Sequence, residues 1–239
     1  MVYGYFPGCS LHSTAQLYED TARKALALLG IEVREVPDWN CCGATPGHAW
    51  LPPVGEALAQ RNLKQARKAG LGEVLVPCAA CYNVLARQAG PDLKIRHLLE
   101  LMTEAGLLQE IEKRARGQLS GRKIAPYYGC LLVRPAEIAF DDPEQPRRLD
   151  QLLLALGAEP VLWSYKTACC GGSMAVPHGQ VVSELVKKIV EAARQAGAAE
   201  IVTACPLCYA NLAWRQGGSK KLPVRYFTEL LVDALGVSR

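Results

Sequence analysis

Ten cysteines form the clearest chemical pattern in this sequence of 239 residues. They fall into two sets of five with one order: a lone cysteine, a Cys-Cys-Gly triplet and a Cys-x-x-Cys motif. Clustered thiols are soft ligands that bind zinc or iron–sulfur clusters, and they also serve in redox chemistry. The first set is Cys9, Cys41, Cys42, Cys78 and Cys81, and the second is Cys130, Cys169, Cys170, Cys205 and Cys208.

The remaining composition favours metal ligation over a disulfide scaffold, because disulfide frameworks belong mainly to short secreted chains. The first residues, MVYGYFPGC, lack the regions of a secretory signal, so we expect a cytoplasmic protein. No run of eighteen apolar residues occurs, so no membrane span is expected. The formal net charge is +4 and no basic–aromatic pattern is present, which argues against a nucleic-acid partner.

The number of thiols in each set limits the kinds of site. A zinc ion or a lone four-iron cube takes four cysteines, so five imply a spare thiol or a cluster with extra ligand positions. Zinc in one half stays open as an alternative, since spacing alone does not give the cluster type. Adjacent cysteines need a tight turn to point at one volume, and Gly43 and Gly171 follow the two pairs because glycine tolerates positive φ.

The two sets belong to an internal duplication. The segment EVLVPCAACYNVLARQ (73–88) aligns with EIVTACPLCYANLAWRQ (200–216), and the other cysteine motifs recur in the same order. A charged, glycine-bearing stretch, IEKRARGQLSGRK (111–123), joins the copies. We therefore predict two domains, 1–118 and 119–239, each carrying one set of five cysteines.

Each copy alternates short apolar strands with amphipathic helices, which predicts an α/β fold with a small parallel sheet flanked by helices. The three cysteine motifs of each copy come just after predicted strands. Because ligands of open parallel sheets bind beyond the carboxyl ends of the strands, the cluster loops should meet at that edge. Thiols more than thirty residues apart in sequence would then lie together.

These motifs resemble the CCG-domain family, and within it the B subunits of heterodisulfide reductases. The resemblance rests on YFPGCSL (5–11), VPDWNCCGA (36–44) and VPCAACYN (76–83), and on ACCGG (168–172) and ACPLCYANL (204–212). It implies two noncubane [4Fe-4S] clusters, one for each set of five cysteines.

The resemblance also implies an activity. Such a subunit would reduce, or form, a small disulfide at its two clusters, and it would receive electrons from a ferredoxin-like C subunit supplied by a flavin-bearing A subunit. The chain is shorter than the methanogen subunits, so its substrate need not be theirs. The alternative is an electron-transfer subunit of a lactate-utilisation or succinate dehydrogenase type complex.

Two histidines near the Cys-Cys-Gly triplets are candidates for proton donors to a leaving thiolate. His48 follows the first triplet and His178 follows the second. The alternative interpretation is that each is an ordinary loop histidine, or one that hydrogen-bonds a ligand, and the sequence leaves this choice open.

Overall fold

A computed structural model describes residues 2–44 and 51–236 of the chain. They form two compact units, Met1–Leu101 and Met102–Arg239. The elements of the first unit are β1 (Tyr3–Tyr5), α1 (Gln16–Leu28), β2 (Val33–Glu35), α2 (Pro52–Lys68), β3 (Glu73–Val76), α3 (Ala79–Gln88), β4 (Lys94–His97) and α4 (Leu98–Met102), the last of which crosses the division.

The second unit repeats this plan after one additional helix. Its elements are α5 (Ala105–Ala115), β5 (Lys123–Tyr127), α6 (Arg148–Ala155), β6 (Glu159–Pro160), α7 (Gly179–Gln195), β7 (Glu200–Thr203), α8 (Pro206–Trp214), β8 (Val224–Tyr226) and α9 (Phe227–Leu235), with short 3₁₀ helices at Ala136–Ile138 and Gly172–Ala175.

Both sheets are parallel and have equivalent strand orders. The first runs β2-β1-β3-β4 and the second β6-β5-β7-β8. In each, the chain leaves the first strand, forms an edge strand, and crosses back to pair on the other side of the first strand. The order reverses between β1 and β3, and between β5 and β7, and such switch points open a crevice at the carboxyl edge. The predicted α/β fold with duplicated parallel sheets is confirmed.

Apolar periodicity explains how the helices cover the sheets. In α7 the buried residues Val182, Val186, Ile189, Val190 and Ala193 recur every three or four positions, so one face of the helix is apolar. The inner strands β1, β3, β5 and β7 are mostly buried, as in parallel sheets with helices on their faces, whereas the edge strands β2 and β6 are partly exposed. Tyr5, Leu75 and Tyr127 are among the fully buried side chains of the two cores.

The division between the units differs from the sequence-based boundary at 118–119. Helix α5 (Ala105–Ala115) belongs to the second unit, where it packs against α6 and α9. Its buried residues Ile111 and Ala115 form that contact face. The sequence grouped this helix with the first copy because the predicted boundary falls within the charged stretch 111–123, which contains only the end of the helix, although its packing partners lie after it.

Candidate metal centres

The five cysteines of the first set meet beyond the carboxyl edge of the first sheet. Cys9 follows β1, the pair Cys41 and Cys42 follows β2, and the Cys-x-x-Cys motif begins α3 after β3. The sulfurs of Cys9 and Cys41 are 3.8 Å apart. The Cys81 thiol also hydrogen-bonds with those of Cys42 and Cys78. The first group of thiols predicted from sequence is therefore a single pocket.

The second set repeats this arrangement in its own unit. The sulfurs of Cys170 and Cys208 are 3.6 Å apart. Cys130 hydrogen-bonds with Cys169, and Cys208 with Cys205. In both pockets the lone cysteine and the first cysteine of the pair are exposed or half-buried, whereas the other three sulfurs are buried. Each pocket thus has a closed floor and an open side.

All ten cysteines are free thiols. The sulfur separations of 3.6 and 3.8 Å far exceed a disulfide bond length of about 2.05 Å. Each pocket holds five reduced thiols, three of them buried. Burying thiolate charge costs free energy unless a bound cation or hydrogen-bond donors compensate it.

Glycines let the backbone come close to these sulfurs. Gly43 and Gly171 have φ of +80° and +90°, which confirms the tight turn predicted after each cysteine pair. Gly8 and Gly129 precede the lone cysteines. A β-carbon on Gly8 would lie 2.8 Å from the sulfur of Cys81, and one on Gly129 would lie 2.9 Å from that of Cys208. The open space in each pocket therefore depends on the absence of a side chain at Gly8 or Gly129.

Main-chain N–H groups point at the sulfurs of each pair. Gly43 donates to the sulfur of Cys41 at 3.5 Å, and Gly171 donates to that of Cys169 at 3.4 Å. The pKa of Cys41 falls to about 2, mainly because the Cys42 and Cys9 thiols donate hydrogen bonds to it. The pKa of Cys169 falls to about 6, mainly because the Cys130 thiol donates to it.

The thiols that donate these hydrogen bonds have a raised pKa. The pKa of Cys9 is raised by its hydrogen bond to Cys41, by burial and by neighbouring thiols, and the pKa of Cys130 is raised likewise. In each of these pairs the hydrogen bond favours the thiolate form of the accepting cysteine and keeps the proton on the donating one. Full deprotonation of five sulfurs needs positive charge in the pocket, which bound metal supplies. The donor set fits a thiolate-ligated metal centre on these grounds.

Hydrogen bonds hold the first residue of the first Cys-x-x-Cys motif in place. The carbonyl of Pro77, just before Cys78, accepts from the Tyr18 hydroxyl at 2.9 Å and lies 2.7 Å from Nε2 of His97. Nδ1 of His97 accepts from the N–H of Leu99, so Nε2 carries the proton and donates to Pro77. His97 is thus a neutral structural histidine that fixes the end of β3.

A different network supports the second pocket. The N–H groups of Tyr128 and Gly129 donate to the carbonyl of Lys166 at 2.8 and 3.1 Å. The Lys166 ammonium, in turn, pairs with Asp150 at 2.8 Å, and Asp150 accepts from the Tyr128 hydroxyl. This buried group links the loop before Cys130 to the loop before Cys169.

The two candidate histidines differ in what the structure says of them. His48 lies outside the described residues. His178 is exposed and precedes α7, where its main-chain N–H donates to the carbonyl of Met174 at 2.8 Å. Its role as a proton donor stays a prediction.

A third histidine, His12, was not among the sequence-based candidates and lies on the loop that carries Cys9. His12 lies three residues after Cys9, and its ring meets that of Trp39 edge-on at 5.1 Å. Trp39 precedes Cys41 by two residues and donates from Nε1 to Glu35 at 2.8 Å. A ring nitrogen of His12 and carboxylate oxygens of Glu19 and Glu35 lie within 4.8 Å of one another. The short spacing from Cys9 was the available signal.

The group of His12, Glu19 and Glu35 is an ion-pair network rather than a second metal site. Arg23 contacts Glu19 and Glu35 at 2.5 Å each, and the Tyr5 hydroxyl donates to Glu19 at 2.6 Å. The guanidinium already pairs with both carboxylates and would repel a divalent cation.

Comparison with known proteins gives the family of the chain. The cysteine-rich domain family CCG matches residues 3–86 and 124–213. The 8-methylmenaquinol:fumarate reductase membrane anchor subunit of Wolinella succinogenes is 27% identical, over 98% of this chain and 92% of that protein. The B subunit of the ferredoxin/F(420)H(2)-dependent CoB-CoM heterodisulfide reductase of Methanosarcina acetivorans is also 27% identical, over 98% and 89%.

A more distant relative and one solved structure extend the comparison. The probable glycolate oxidase iron-sulfur subunit of Bacillus subtilis is 22% identical, over 97% of this chain and 54% of that protein. The crystal structure of a hypothetical protein from Helicobacter pylori aligns with a TM-score of 0.71 at 9% identity, covering all of this chain and 49% of that one. That likeness shows the fold alone.

Among residues 2–44 and 51–236, no helix has the length and apolar character needed to cross a bilayer. The two ranges matched by the family enclose all ten cysteines, five in each. The chain belongs to the CCG cysteine-rich domain family and carries two copies of its domain.

Proposed function

We propose that each five-thiol pocket holds one [4Fe-4S] cluster, of the noncubane type, and that the chain is the iron–sulfur subunit of a heterodisulfide reductase-like complex. The observation that carries this proposal is the gathering of five free thiols in each unit around a space kept open by a glycine. Zinc would use four of the five thiols and leave one without a role. The proposed ligands are Cys9, Cys41, Cys42, Cys78 and Cys81 for one cluster, and Cys130, Cys169, Cys170, Cys205 and Cys208 for the other.

The reaction is the two-electron interconversion of a disulfide and two thiols. Reduction of RS–SR′ breaks the S–S bond and takes up two electrons and two protons, giving RSH and R′SH. When bound, the clusters supply single electrons and a metal surface for a sulfur ligand. The residues of the chain hold the clusters, admit the substrate from one side and supply protons.

Exposure in the two pockets defines the side from which a substrate can approach. Cys9 and Cys169 are exposed, and Cys41 and Cys130 are half-buried. The other six cysteines are buried beneath them. A small disulfide therefore meets each centre at the side formed by the lone cysteine and the first cysteine of the pair, while the floor stays closed to water.

At the first pocket, His12 is placed to donate a proton. It lies on the loop that carries Cys9, it is exposed, and its ring packs edge-on against Trp39, with the carboxylates of Glu19 and Glu35 within 4.8 Å of a ring nitrogen. Imidazole is the side chain best suited to proton transfer near neutral pH. We assign to a ring nitrogen of His12 the protonation of the thiolate released at this side.

The proposed complex is supported by the relatives, several of which are named as subunits. A ferredoxin-like C subunit would deliver electrons one at a time, and a flavin-bearing A subunit would supply them from a two-electron donor. We place this assembly in the cytoplasm.

The test is disulfide turnover by the anaerobically reconstituted chain, with a reduced viologen dye as the one-electron donor. We expect two thiols to appear for each disulfide consumed, with two dye molecules oxidised. Full cluster content with dye oxidation that yields no thiol would contradict the disulfide activity.

The alternative is an electron-transfer subunit without a disulfide substrate. It is supported by relatives named for fumarate reductase and glycolate oxidase, whose named reactions involve no disulfide. Under this alternative the chain would pass electrons between protein partners, and the same dye assay would give no thiol product with any small disulfide.

A further inference from the structure

The two halves use different asparagines to hold the loop that carries the cysteine pair. In the first half, Asn62 on α2 accepts from the N–H of Asn40 at 2.8 Å and donates to its carbonyl at 3.0 Å. In the second half, the position matching Asn62 is Ile189, the eighth residue before the glycine that follows the helix in both copies. In the second half, hydrogen bonds to the loop that carries the cysteine pair therefore come from a different residue.

In the second half this support comes from Asn211 on α8. Its amide nitrogen donates to the carbonyl of Cys170 and to that of Gly172, at 3.1 Å each. The side chain is 3% exposed, so these bonds are shielded from water. The matching residue in the first half, three positions after the second cysteine of Cys-x-x-Cys, is the apolar Val84.

Asn211 differs from Asn62 in one further contact. Its amide nitrogen lies 3.6 Å from the sulfur of Cys170, to which it donates. The N–H of Gly172 donates to the same sulfur at 3.4 Å. In the described part of the first half, the matching sulfur of Cys42 receives main-chain donation from Ala44 and contacts from neighbouring thiols. Among residues 2–44 and 51–236, a side-chain amide donates to a sulfur of a cysteine pair at Cys170.

Hydrogen bonds to the sulfur ligands of an iron–sulfur centre raise its reduction potential, because the donors stabilise the extra negative charge of the reduced state. We propose that Asn211 is a positioning and tuning residue that makes the second centre easier to reduce than it would be with the apolar residue of the first copy. The inference rests on the proposed function and makes the two centres unequal.

The experiment is an anaerobic redox titration of the reconstituted full chain, followed by electron paramagnetic resonance. We expect Asn211→Val to make one of the two midpoint potentials more negative and to leave the other unchanged. Val84→Asn should make the other potential more positive, whereas the apolar control Val84→Leu should move neither. Unchanged potentials in Asn211→Val and Val84→Asn, with iron and sulfide at wild-type content, would overturn the assignment.

A double variant separates the support of the loop from the bond to sulfur. Ile189→Asn with Asn211→Val places the first-half support in the second half without the sulfur donor. We expect the lowered potential to persist, and a return to the wild-type potential would contradict the proposal. If the native chain takes up no iron and sulfide at all, the proposed function fails, which is distinct from failure of the Asn211 assignment.

Discussion

The sulfur of Cys81 lies so close to Gly8 that a β-carbon built on Gly8 would be 2.8 Å from it. Gly129 and Cys208 repeat the relationship at 2.9 Å. Such a distance is shorter than side-chain contacts in folded proteins, so both positions require glycine. Both glycines also have positive φ, +75° and +67°, so the backbone conformation and the contact with sulfur each favour glycine at these positions.

Gly8→Ala should therefore impair one centre and leave the other intact. The added methyl group would displace the Cys81 sulfur and adds strain at a φ of +75°, with a cost of about 1–3 kcal/mol in the free energy of unfolding. We expect iron content to fall by about half. Gly30→Ala is the matched control, since Gly30 has a φ of +68° and open space around it. Equal iron loss in both variants would show that backbone strain alone is responsible.

The placement of His12 leads to a prediction about turnover. His12→Gln keeps a polar side chain but removes the proton donor, so disulfide turnover should fall by about 10²-fold while cluster content stays unchanged. His178→Gln should retain more of the turnover, because the His12 ring packs against Trp39, whereas the contact between His178 and Met174 is made by the main chain of His178. A larger loss of turnover in His178→Gln than in His12→Gln would instead assign the proton-donor role to the second pocket.

The buried hydrogen bond between Tyr5 and Glu19 should contribute to stability. The Tyr5 hydroxyl donates to Glu19 at 2.6 Å, and both residues are buried. Tyr5→Phe leaves the carboxylate with one hydrogen bond fewer, which should cost about 2 kcal/mol in urea unfolding. Gln16→Ala removes an exposed hydrogen bond to Asp20 and should change stability by less than about 0.5 kcal/mol. If Tyr5→Phe left the free energy of unfolding unchanged, the proposed contribution of this hydrogen bond would be wrong.

Buried tyrosines predict a loss of stability at alkaline pH. Burial raises the pKa of Tyr5, Tyr82, Tyr127 and Tyr128 above the ordinary value. The folded state therefore holds these protons more tightly than the unfolded chain does. Their contribution to stability is complete below the unfolded pKa of about 10 and is lost as pH rises further. Absorbance at 295 nm should show their ionisation only as the protein unfolds, and early ionisation of all tyrosines would contradict this.

The sequence predicted much of the fold because its signals were local and repeated. Alternating strands and helices indicated the parallel sheets, and the position of each cysteine motif after a strand indicated the gathering of thiols at one edge. Gly43 and Gly171 were identified as turn residues from their place after the cysteine pairs.

Other features could not be read from the sequence because they depend on tertiary packing. Helix α5 packs forward onto α6 and α9, which no local pattern indicates. Strand β6 is limited to Glu159–Pro160, and Trp163, three residues later, is buried and donates to the carbonyl of Pro126. The network around His12 joins residues from three elements, and Asn211 reaches its sulfur across forty-one positions.

The most direct test of the paired centres is the metal content of the anaerobically purified chain, measured together with acid-labile sulfide. Two four-iron clusters predict about eight irons and eight sulfides per chain, without zinc. Cys42→Ser and Cys170→Ser should each retain about four irons, because each replaces a ligand in a different unit. Zinc at one or two atoms per chain, or a complete loss of iron in either variant, would contradict two independent iron–sulfur centres.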